Sequence, residues 1–433
     1  MAQLTAKIES FLLEAPLEAI CSGSIFYLTM DGDEVSEYNT IRTLTERAVR
    51  STSQKIENNR RKTKVVNILL ELESEECRPG RAILSGLFSH IIEEIEQNVR
   101  ILKTKLGSPI TNADENLYRA LKKNIDGGLN ISELIWRDPI ASTVLSDDSK
   151  IIKNLSHRQR RTLWVDEFVE NFDEIDNPNH IRNIVHDKLW KEDEFELLKT
   201  AERILGILED IWCNPAFSTR ATSSVQSEGT YITDVIMPLL RASLSDLPNG
   251  YICLSTAERQ SLASKARRND GTGKVKMGKK PDIIALERCN GKLVEFLYVE
   301  SSRIVCSPTK KTDDEIKLWR ELLDGSSYIS SACRSTCNQF GVIGIQVAGE
   351  KIYLNVLVND ASGIPRYFHL DYAEIPLTSE VGLRTKALIR LLLTLRNIII
   401  VNKNLLKQTM EQAVSHLPRN TSPSPTVTSP SHK

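Results

Sequence analysis

The sequence predicts a mainly helical N-terminal half followed by an α/β C-terminal domain, in which a central mixed sheet is flanked by helices. In the first half, apolar residues recur every three or four positions over long stretches, which is typical of amphipathic helices. Beyond about residue 216, short apolar runs of strand length alternate with further helical stretches. That alternation is typical of a sheet with helices packed on its faces.

Composition is that of an ordinary globular protein. The 433 residues suffice for two domains, with 40% hydrophobic and 26% charged residues. The formal net charge of −1 excludes a global attraction to nucleic acid or membranes, so any such attraction must come from a local patch. The eight cysteines form no CxxC pair, which favours reduced thiols over a zinc site. With no signal-like N-terminus and no membrane-spanning apolar run, we expect a soluble intracellular protein of the cytoplasm or nucleus.

The helical half is expected to form a domain of its own, with no role that the sequence identifies. Its clearest helices are predicted over Arg81–Leu106 and over about His180–Trp212, each ended by a proline-containing turn. The expected divisions of the chain are a helical domain at 1–215, a polar linker at 216–226, an α/β domain at 227–413 and a disordered Pro/Ser/Thr-rich tail at 418–433.

The α/β domain is expected to begin with a helix that Ser227 caps and Pro238 kinks. A helix over about Asp313–Leu323 separates the second and third of four predicted strands. A long helix over about Thr378–Val401, extending towards Ala413, closes the domain. The predicted strands are Asp282–Leu286, Leu293–Glu300, Val342–Val347 and Ile352–Val358.

Two acidic residues bracket the first two of these strands. Asp282 begins the first and Glu300 ends the second, and the Asn290-Gly291 turn predicts that the strands pair as a hairpin. The start of the first strand then lies beside the end of the second, which brings both carboxylates to one end of the sheet. Adjacent carboxylates repel unless a proton or cation lies between them, so such a pair is typical of a divalent-metal site.

This arrangement resembles the PD-(D/E)xK nuclease superfamily, which has the restriction-endonuclease-like fold. The resemblance covers roughly residues 227–400: Pro281-Asp282 matches the first motif and Glu300-Ser301-Ser302 lies where the second belongs. Glu228 is similar to the glutamate that the family often carries on the preceding helix, and Gln346 to a glutamine near the site. The layout is also similar to that of families of uncharacterised fungal proteins with this type of domain. The resemblance implies that Asp282 and Glu300 bind Mg²⁺, with Glu228 assisting, in a nuclease acting on DNA or RNA.

One position departs from the family pattern. Ser302 stands where the family has the lysine that positions or activates the attacking water, and serine cannot supply a positive charge. Lys280, just before Pro281-Asp282, and Lys317, on the following helix, are the substitutes that the sequence offers. With a substitute, the resemblance implies a metal-dependent nuclease. Without one, it implies a catalytically impaired domain that binds metal or nucleic acid.

A basic, glycine-containing loop over 265–280 leads directly into Asp282. Lysine and arginine at this density attract phosphates, so we expect the loop to contact DNA or RNA in a salt-dependent way. The residues expected to bind nucleic acid are Lys265, Arg267, Arg268, Lys274, Lys276 and Lys279.

Two alternatives to an enzyme stay open. The domain is then either a non-catalytic nucleic-acid-binding module or a protein-interaction scaffold whose basic loop is merely solvated. In the first of these cases the helical half would be a docking platform, for a partner that the sequence does not identify. Salt-dependent binding of nucleic acid separates these two alternatives.

Overall fold

The computed structural model describes residues 2–22, 24–25, 28, 38–73, 78–109, 112–161, 163, 192–256, 259–270, 276–289, 291–333, 341–360, 362–379, 382–414 and 426–427. The chain forms two compact units. The first comprises Met1–Val99, Asn130–Ser142 and Val427–Lys433, and the second comprises Arg100–Leu129 and Thr143–Thr426. The predicted division at 216–226 therefore falls inside the second unit, because helices and a strand from before residue 215 pack into the α/β domain.

The first unit is helical, as predicted for this part of the chain. Apolar side chains at helical spacing, such as Ile8, Ile41 and Ile68, form its buried core. Arg61 donates hydrogen bonds to the carbonyls of Leu12, Leu13 and Ala15, which satisfies the C-terminal end of the first helix. The helices are α1 (Ala2–Glu14), α2 (Tyr38–Ser53), α3 (Asn59–Glu73) and α4 (Arg78–Leu106), which ends where it was predicted to end and continues into the second unit.

Helices also open the second unit. The predicted helix over His180–Trp212 is observed only in its last part, since residues 164–191 lie outside the described residues. The predicted linker contains a short helix, capped reciprocally by Thr219 and Thr222. The helices are α5 (Asn112–Gly128), α6 (Lys150–Lys153), α7 (His157–Arg161), α8 (Glu194–Cys213) and α9 (Arg220–Ser224).

The helix predicted after Ser227 is present but interrupted. Ser227 accepts a hydrogen bond from the Thr230 N–H and caps α10 (Glu228–Tyr231). A π-helical turn over Ile232–Ile236 follows, and then α11 (Met237–Leu244). Pro238 has no N–H to donate, so the regular helical ladder cannot pass through it, and the predicted kink takes the form of this π-turn.

A seven-stranded mixed sheet forms the centre of the second unit. The strand order is β1-β7-β6-β5-β4-β3-β2, with β1/β7 and β4/β5 parallel and the other pairs antiparallel. The four predicted strands are confirmed as β3 to β6, and β1, β2 and β7 are additional to these four. The strands are β1 (Leu145–Ser146), β2 (Cys253–Thr256), β3 (Ile283–Cys289), β4 (Lys292–Ser301), β5 (Gly341–Ala348), β6 (Lys351–Asn359) and β7 (Pro365–Glu374).

Three further helices pack against this sheet: α12 (Leu262–Asn269), α13 (Pro308–Cys333) and α14 (Gly382–Val414). The helix α13 lies across β4, β5 and β6, whereas α14 packs against β7, α8 and α11. At Gly344 a Cβ atom would lie 2.9 Å from Leu322 and 3.1 Å from Leu318, so glycine allows α13 to approach β5 closely. This approach holds the first turns of α13 over one end of the sheet.

Charged residues inside the second unit are satisfied by specific partners. Arg396, which interrupts the most apolar stretch of α14, is fully buried and binds both carboxylate oxygens of Glu192 at 2.6 and 2.8 Å. It also donates to the carbonyls of Ser243, Ser245 and Asp246 at the end of α11. A guanidinium group with five donors can serve both roles at once.

Membrane-spanning helices are absent from the described part of the chain, in which none of the helices is long and apolar enough to cross a membrane. Most of the predicted disordered tail lies outside the described residues. Val427 is described, however, and it is buried, with its N–H donating to the Ser142 hydroxyl at 3.1 Å.

Candidate active site

The hairpin of β3 and β4 places Asp282 beside the end of β4. Ile283 pairs with Val299 in the antiparallel register, so Asp282 lies next to the last residues of β4. The Ser301 N–H donates a hydrogen bond of 2.7 Å to Oδ2 of Asp282. Glu300 lies at the same end of the sheet and is only 5% exposed. The structure thus brings together the two acids that the hairpin predicted as neighbours.

The two carboxylates lie in a region that disfavours negative charge. Burial, opposed by the Ser301 hydrogen bond and assisted by the charge of Glu228, raises the pKa of Asp282 to about 6. Burial and then the charge of Asp282 raise the pKa of Glu300 to about 8. Asp282 therefore ionises first, and its charge then helps to hold the proton on Glu300. A cation between the two acids would relieve this repulsion.

A stripe of charged residues on α13 faces this end of the sheet. Lys310, Asp314, Lys317 and Glu321 follow one another at helical spacing. Asp314 is fully buried, and its Oδ1 lies 2.8 Å from Nζ of Lys310 and 3.4 Å from Nζ of Lys317. Nζ of Lys317 also lies 3.8 Å from Oε2 of Glu300. Two lysines of α13 thus supply positive charge where the acids converge.

Sequence reasoning identified only Lys317 of this stripe. The helix was predicted to begin at Asp313, whereas α13 begins at Pro308 and therefore includes Lys310. A usable signal was present, because charged residues that share a face with buried apolar ones need partners in the interior. The sequence does not say which partners those are.

Glu228 is brought to the edge of the same site. It occupies the first turn of α10, directly after the capping Ser227. Its Oε2 lies 3.9 Å from Nζ of Lys310, and its charge contributes to the raised pKa of Asp282. The helix before the sheet thus supplies a third acid, which remains about one-third exposed to solvent.

Ser302, where the family pattern has lysine, is buried and bonded to the backbone. Its N–H and its hydroxyl both donate to the Val347 carbonyl, at 2.8 and 3.1 Å. This engagement favours a structural role for Ser302 over a part in catalysis. Of the two lysines considered as substitutes, Lys317 contacts Glu300, while Lys280 is exposed on the segment before Asp282.

A second layer of buried charge lies beneath Glu300. Glu321 is 2% exposed, and burial together with the charge of Glu300 raises its pKa well above the usual range. Burial lowers the pKa of Lys279, and the nearby charges of Glu321 and Asp324 oppose that effect. Lys279 therefore lies among internal charges of both signs, including Arg320, which differs from its predicted role in binding nucleic acid.

The predicted basic loop begins as a helix, α12, whose first turn is held by buried Glu295 through the backbone N–H groups of Leu262 and Ala263. Arg267 pairs with buried Asp324 through its Nε, and Arg268 donates to the Met277 carbonyl at 2.7 Å. These two side chains contact the protein itself. Of the other basic residues predicted to bind nucleic acid, Lys265 is exposed, Lys276 and Lys279 are half-buried, and Lys274 lies outside the described residues.

The carboxylates around Glu300 have the chemistry of a site for a hard divalent cation. Oδ2 of Asp314 and Oε2 of Glu321 are buried and have no hydrogen-bond partner. Unpaired carboxylate oxygens are costly to bury, and oxygen ligands are those that Mg²⁺ and Mn²⁺ prefer. The chemistry of the residues present therefore fits such an ion.

Gln346 extends the site along the sheet. Glu300 pairs with Gln346, Gln346 with Tyr353 and Tyr353 with Tyr372, so these four residues of β4, β5, β6 and β7 form one row. Directly paired residues of neighbouring strands share a face of the sheet. Nε2 of Gln346 donates to the Lys311 carbonyl at 2.6 Å, which leaves the amide oxygen as the acceptor that a ligand can use.

The far end of this row is aromatic and basic. The rings of Tyr353 and Tyr372 stack with their centroids 6.0 Å apart, and Tyr372 is 61% exposed. Nζ of Lys311 lies 4.2 Å from the Tyr353 ring centroid, and Nζ of Lys351 lies 5.9 Å from that of Tyr372. An exposed ring flanked by ammonium groups is a surface on which a base can stack near its phosphates.

Comparisons with known proteins assign no family to this chain. No protein-family description, no curated protein and no solved structure matches it. Its function must therefore be inferred from the side chains described above.

Proposed function

We propose that Asp282, Glu300 and Lys317 form the centre of a metal-dependent phosphodiesterase of PD-(D/E)xK type that cuts nucleic acid. The observation that carries the proposal is the ion pair between Lys317 and Glu300, with 3.8 Å between Nζ and Oε2. Lys317, on α13, supplies the positive charge that Ser302 cannot supply. The neighbouring hairpin holds Asp282 beside the same carboxylate through the Ser301 N–H.

Asp282 and Glu300 would hold the divalent cation, which when bound polarises the scissile phosphate and lowers the pKa of an attacking water. Asp314 supports this arrangement, because its carboxylate holds both Lys310 and Lys317 in place. The charges of these lysines favour the ionised, ligand-competent forms of Asp282 and Glu300.

Lys317 is the group best placed to act on the reacting phosphate. Its side chain is 37% exposed, so the ammonium group is accessible from solvent while it contacts Glu300. A cation fixed at this position can orient the attacking water or stabilise charge that develops on the phosphate oxygens. Lys310, paired with Glu228 and Asp314, would play a supporting part in this charge balance.

The row from Glu300 to Tyr372 favours a single-stranded substrate. Bases must be unstacked to lie on Tyr372, and stacking on an aromatic side chain accepts any base. The sugar-phosphate backbone would then pass Lys311 and Lys351 on its way to the carboxylates. Exposed Lys280, two residues before Asp282, adds further positive charge there. The proposal is therefore a nuclease that engages unpaired strands.

The test is cleavage of labelled single- and double-stranded DNA and RNA by the full-length protein, in Mg²⁺ and in Mn²⁺. The variants Asp282→Asn and Glu300→Gln remove the charge of each acid while keeping its shape. Glu209→Gln, at an exposed position of α8, is the matched control. We expect metal-dependent cutting that falls at least about 100-fold in both site variants and is unchanged in the control.

Equal cutting by the wild type and both site variants would contradict the proposal, because the activity would then belong to another site or to a contaminant. Salt-dependent binding without cutting in either metal would instead support a non-catalytic nucleic-acid-binding module. Absence of both cutting and binding would favour a protein-interaction scaffold.

The preference for single strands has its own test. Tyr372→Ala should weaken the binding of a fluorescent single-stranded oligonucleotide by about 1–3 kcal/mol, measured by anisotropy in the Glu300→Gln background so that the probe is not cut. An oligonucleotide of abasic sites should show no difference between the two proteins. If both probes lose the same affinity, Tyr372 acts on the sugar-phosphate backbone and the stacking role is wrong.

A further inference from the structure

A second cluster of ligand-type side chains lies where β1, α13 and β7 meet. Asp148 follows β1, Glu315 belongs to α13 and His369 belongs to β7. One carboxylate oxygen of each acid and one ring nitrogen of His369 all lie within 4.8 Å of one another. Among the residues that the structure describes, this is the one group of three such side chains that converges so closely.

His369 is held in place by a fourth residue, Asp147. Oδ1 of Asp147 lies 2.6 Å from Nδ1 of the imidazole, and Oδ2 accepts the His369 backbone N–H at 2.9 Å. The ring therefore directs Nε2 towards Glu315, whose Oε1 is 3.5 Å away. A carboxylate on the far nitrogen is the support that metal-binding histidines commonly have, since it fixes the tautomer and the ring orientation.

We infer that Asp148, Glu315 and His369 form a binding site for a divalent transition-metal ion, with Zn²⁺ as the expected occupant. One imidazole and two carboxylates suit zinc better than magnesium, which avoids nitrogen ligands. Three protein ligands leave a fourth position for water or another small ligand. This site is separate from the one around Glu300 and does not depend on the proposed function.

One of the contacts that the ion would displace is a surface ion pair. Nζ of Lys153 lies 2.6 Å from Asp148, but both side chains are more than half exposed, and such surface pairs contribute little. Without metal, Nδ1 and Nε2 of His369 face Asp147 and Glu315 at 2.6 and 3.5 Å. The incoming ion takes the place of any proton on Nε2, which leaves to solvent, while Nδ1 keeps its proton and donates it in a hydrogen bond to Asp147.

The position of the cluster indicates which parts of the fold a bound metal ion would connect. β1 consists of two residues and pairs with β7 over Leu145–Arg366 and Ser146–Tyr367 only. An ion bound by Asp148, Glu315 and His369 would tie the end of this short strand to α13 and β7. Since α13 also carries Lys317, the ion would help to fix the helix on which the proposed active site depends.

The experiment is titration of the full-length protein with Zn²⁺ by calorimetry, and with Co²⁺ by visible absorption as a probe of nitrogen and oxygen ligation. All proteins carry Glu300→Gln, which removes a main ligand of the other site. Into that background go Asp148→Asn, His369→Gln, Asp147→Asn and the control Asp210→Asn on α8. Asp148 is exposed, so its variant should fold even if substitution of His369 disturbs packing.

We expect one Zn²⁺ per chain and a Co²⁺ absorption band that Zn²⁺ abolishes. Affinity should fall at least about 100-fold in Asp148→Asn and His369→Gln, and about 10- to 100-fold in Asp147→Asn, whose role is to position His369. The control should match the background protein. Absence of Zn²⁺ binding, or binding that Asp148→Asn leaves unchanged, would show that the cluster is only a network of ion pairs.

Discussion

The two clusters that α13 contacts balance their charges in opposite ways. Around Glu300 the acids outnumber the lysines, and burial raises the pKa of both Asp282 and Glu300. Around His369, burial lowers the pKa of the imidazole, but hydrogen bonds to Asp147 and Glu315 and the charges of these acids outweigh it and raise the pKa to about 10. Adjacent residues of one helix, Asp314 and Glu315, belong to the two clusters. The surroundings of the first cluster thus disfavour the charge of its acids, whereas those of the second favour the charge of its imidazole.

The largest effect expected from this contrast is on catalysis. Lys317→Met should lower kcat about 100- to 1000-fold, because it removes the ammonium group fixed beside Glu300. Lys153→Met removes the lysine of the second cluster and should leave kcat within about twofold of wild type. Single-turnover cleavage of a labelled oligonucleotide measures both. Comparable losses of kcat in the two variants would mean that catalysis does not depend specifically on the cluster around Glu300.

The next effect is on stability, and its sign should differ between the clusters. Glu300→Gln removes a charge that the fold disfavours, so at pH 8 in a chelator it should raise the free energy of unfolding by about 1–2 kcal/mol while abolishing cutting. His369→Gln removes the imidazole from between two acids and should lower the free energy of unfolding by about 1–3 kcal/mol. Urea denaturation tests both, and a loss of stability in Glu300→Gln would contradict the raised pKa of that acid.

The two clusters should also differ in pH dependence, measured without metal. The unfolded chain releases the Glu300 proton near pH 4.5, but the folded protein keeps it to about pH 8. Stability should therefore fall across that window, by at most about 1.4 kcal/mol per pH unit. The contribution of His369 is fully present below about pH 6.5 and is lost as pH rises through about 10. The test is the urea midpoint, measured from pH 5 to 10. Glu300→Gln should abolish the fall in stability that ends near pH 8, and His369→Gln should abolish the fall near pH 10.

The hairpin explains why part of the candidate site could be predicted from the sequence. The turn through Gly291, whose φ of +79° suits glycine, fixes that the start of β3 lies beside the end of β4, while a β-bulge between Ala285 and Leu286 shifts the pairing by one residue. Local rules therefore brought Asp282 beside Glu300. The cap at Ser227 placed Glu228 at the start of its helix by the same kind of local rule.

The rest of the site depends on contacts between distant parts of the chain, which local patterns do not encode. Asp148 follows a two-residue strand, too short to leave a periodic pattern, and it approaches His369 only because β1 pairs with β7. The second cluster was accordingly missed, and His369 gave no sign of its neighbours. Likewise, Arg267 was predicted to bind nucleic acid from its charge, whereas the fold pairs it with Asp324.

The smallest predicted effect concerns Ser302, at the position where the family pattern has lysine. Ser302→Ala removes the hydroxyl bond to the Val347 carbonyl but keeps the N–H bond, so it should cost about 1 kcal/mol of stability and leave kcat within about twofold of wild type. Single-turnover cleavage beside Lys317→Met gives the comparison. A large loss of kcat in Ser302→Ala would indicate that Ser302 itself takes part in catalysis. An unchanged kcat, with Lys317→Met inactive, would place that group on α13.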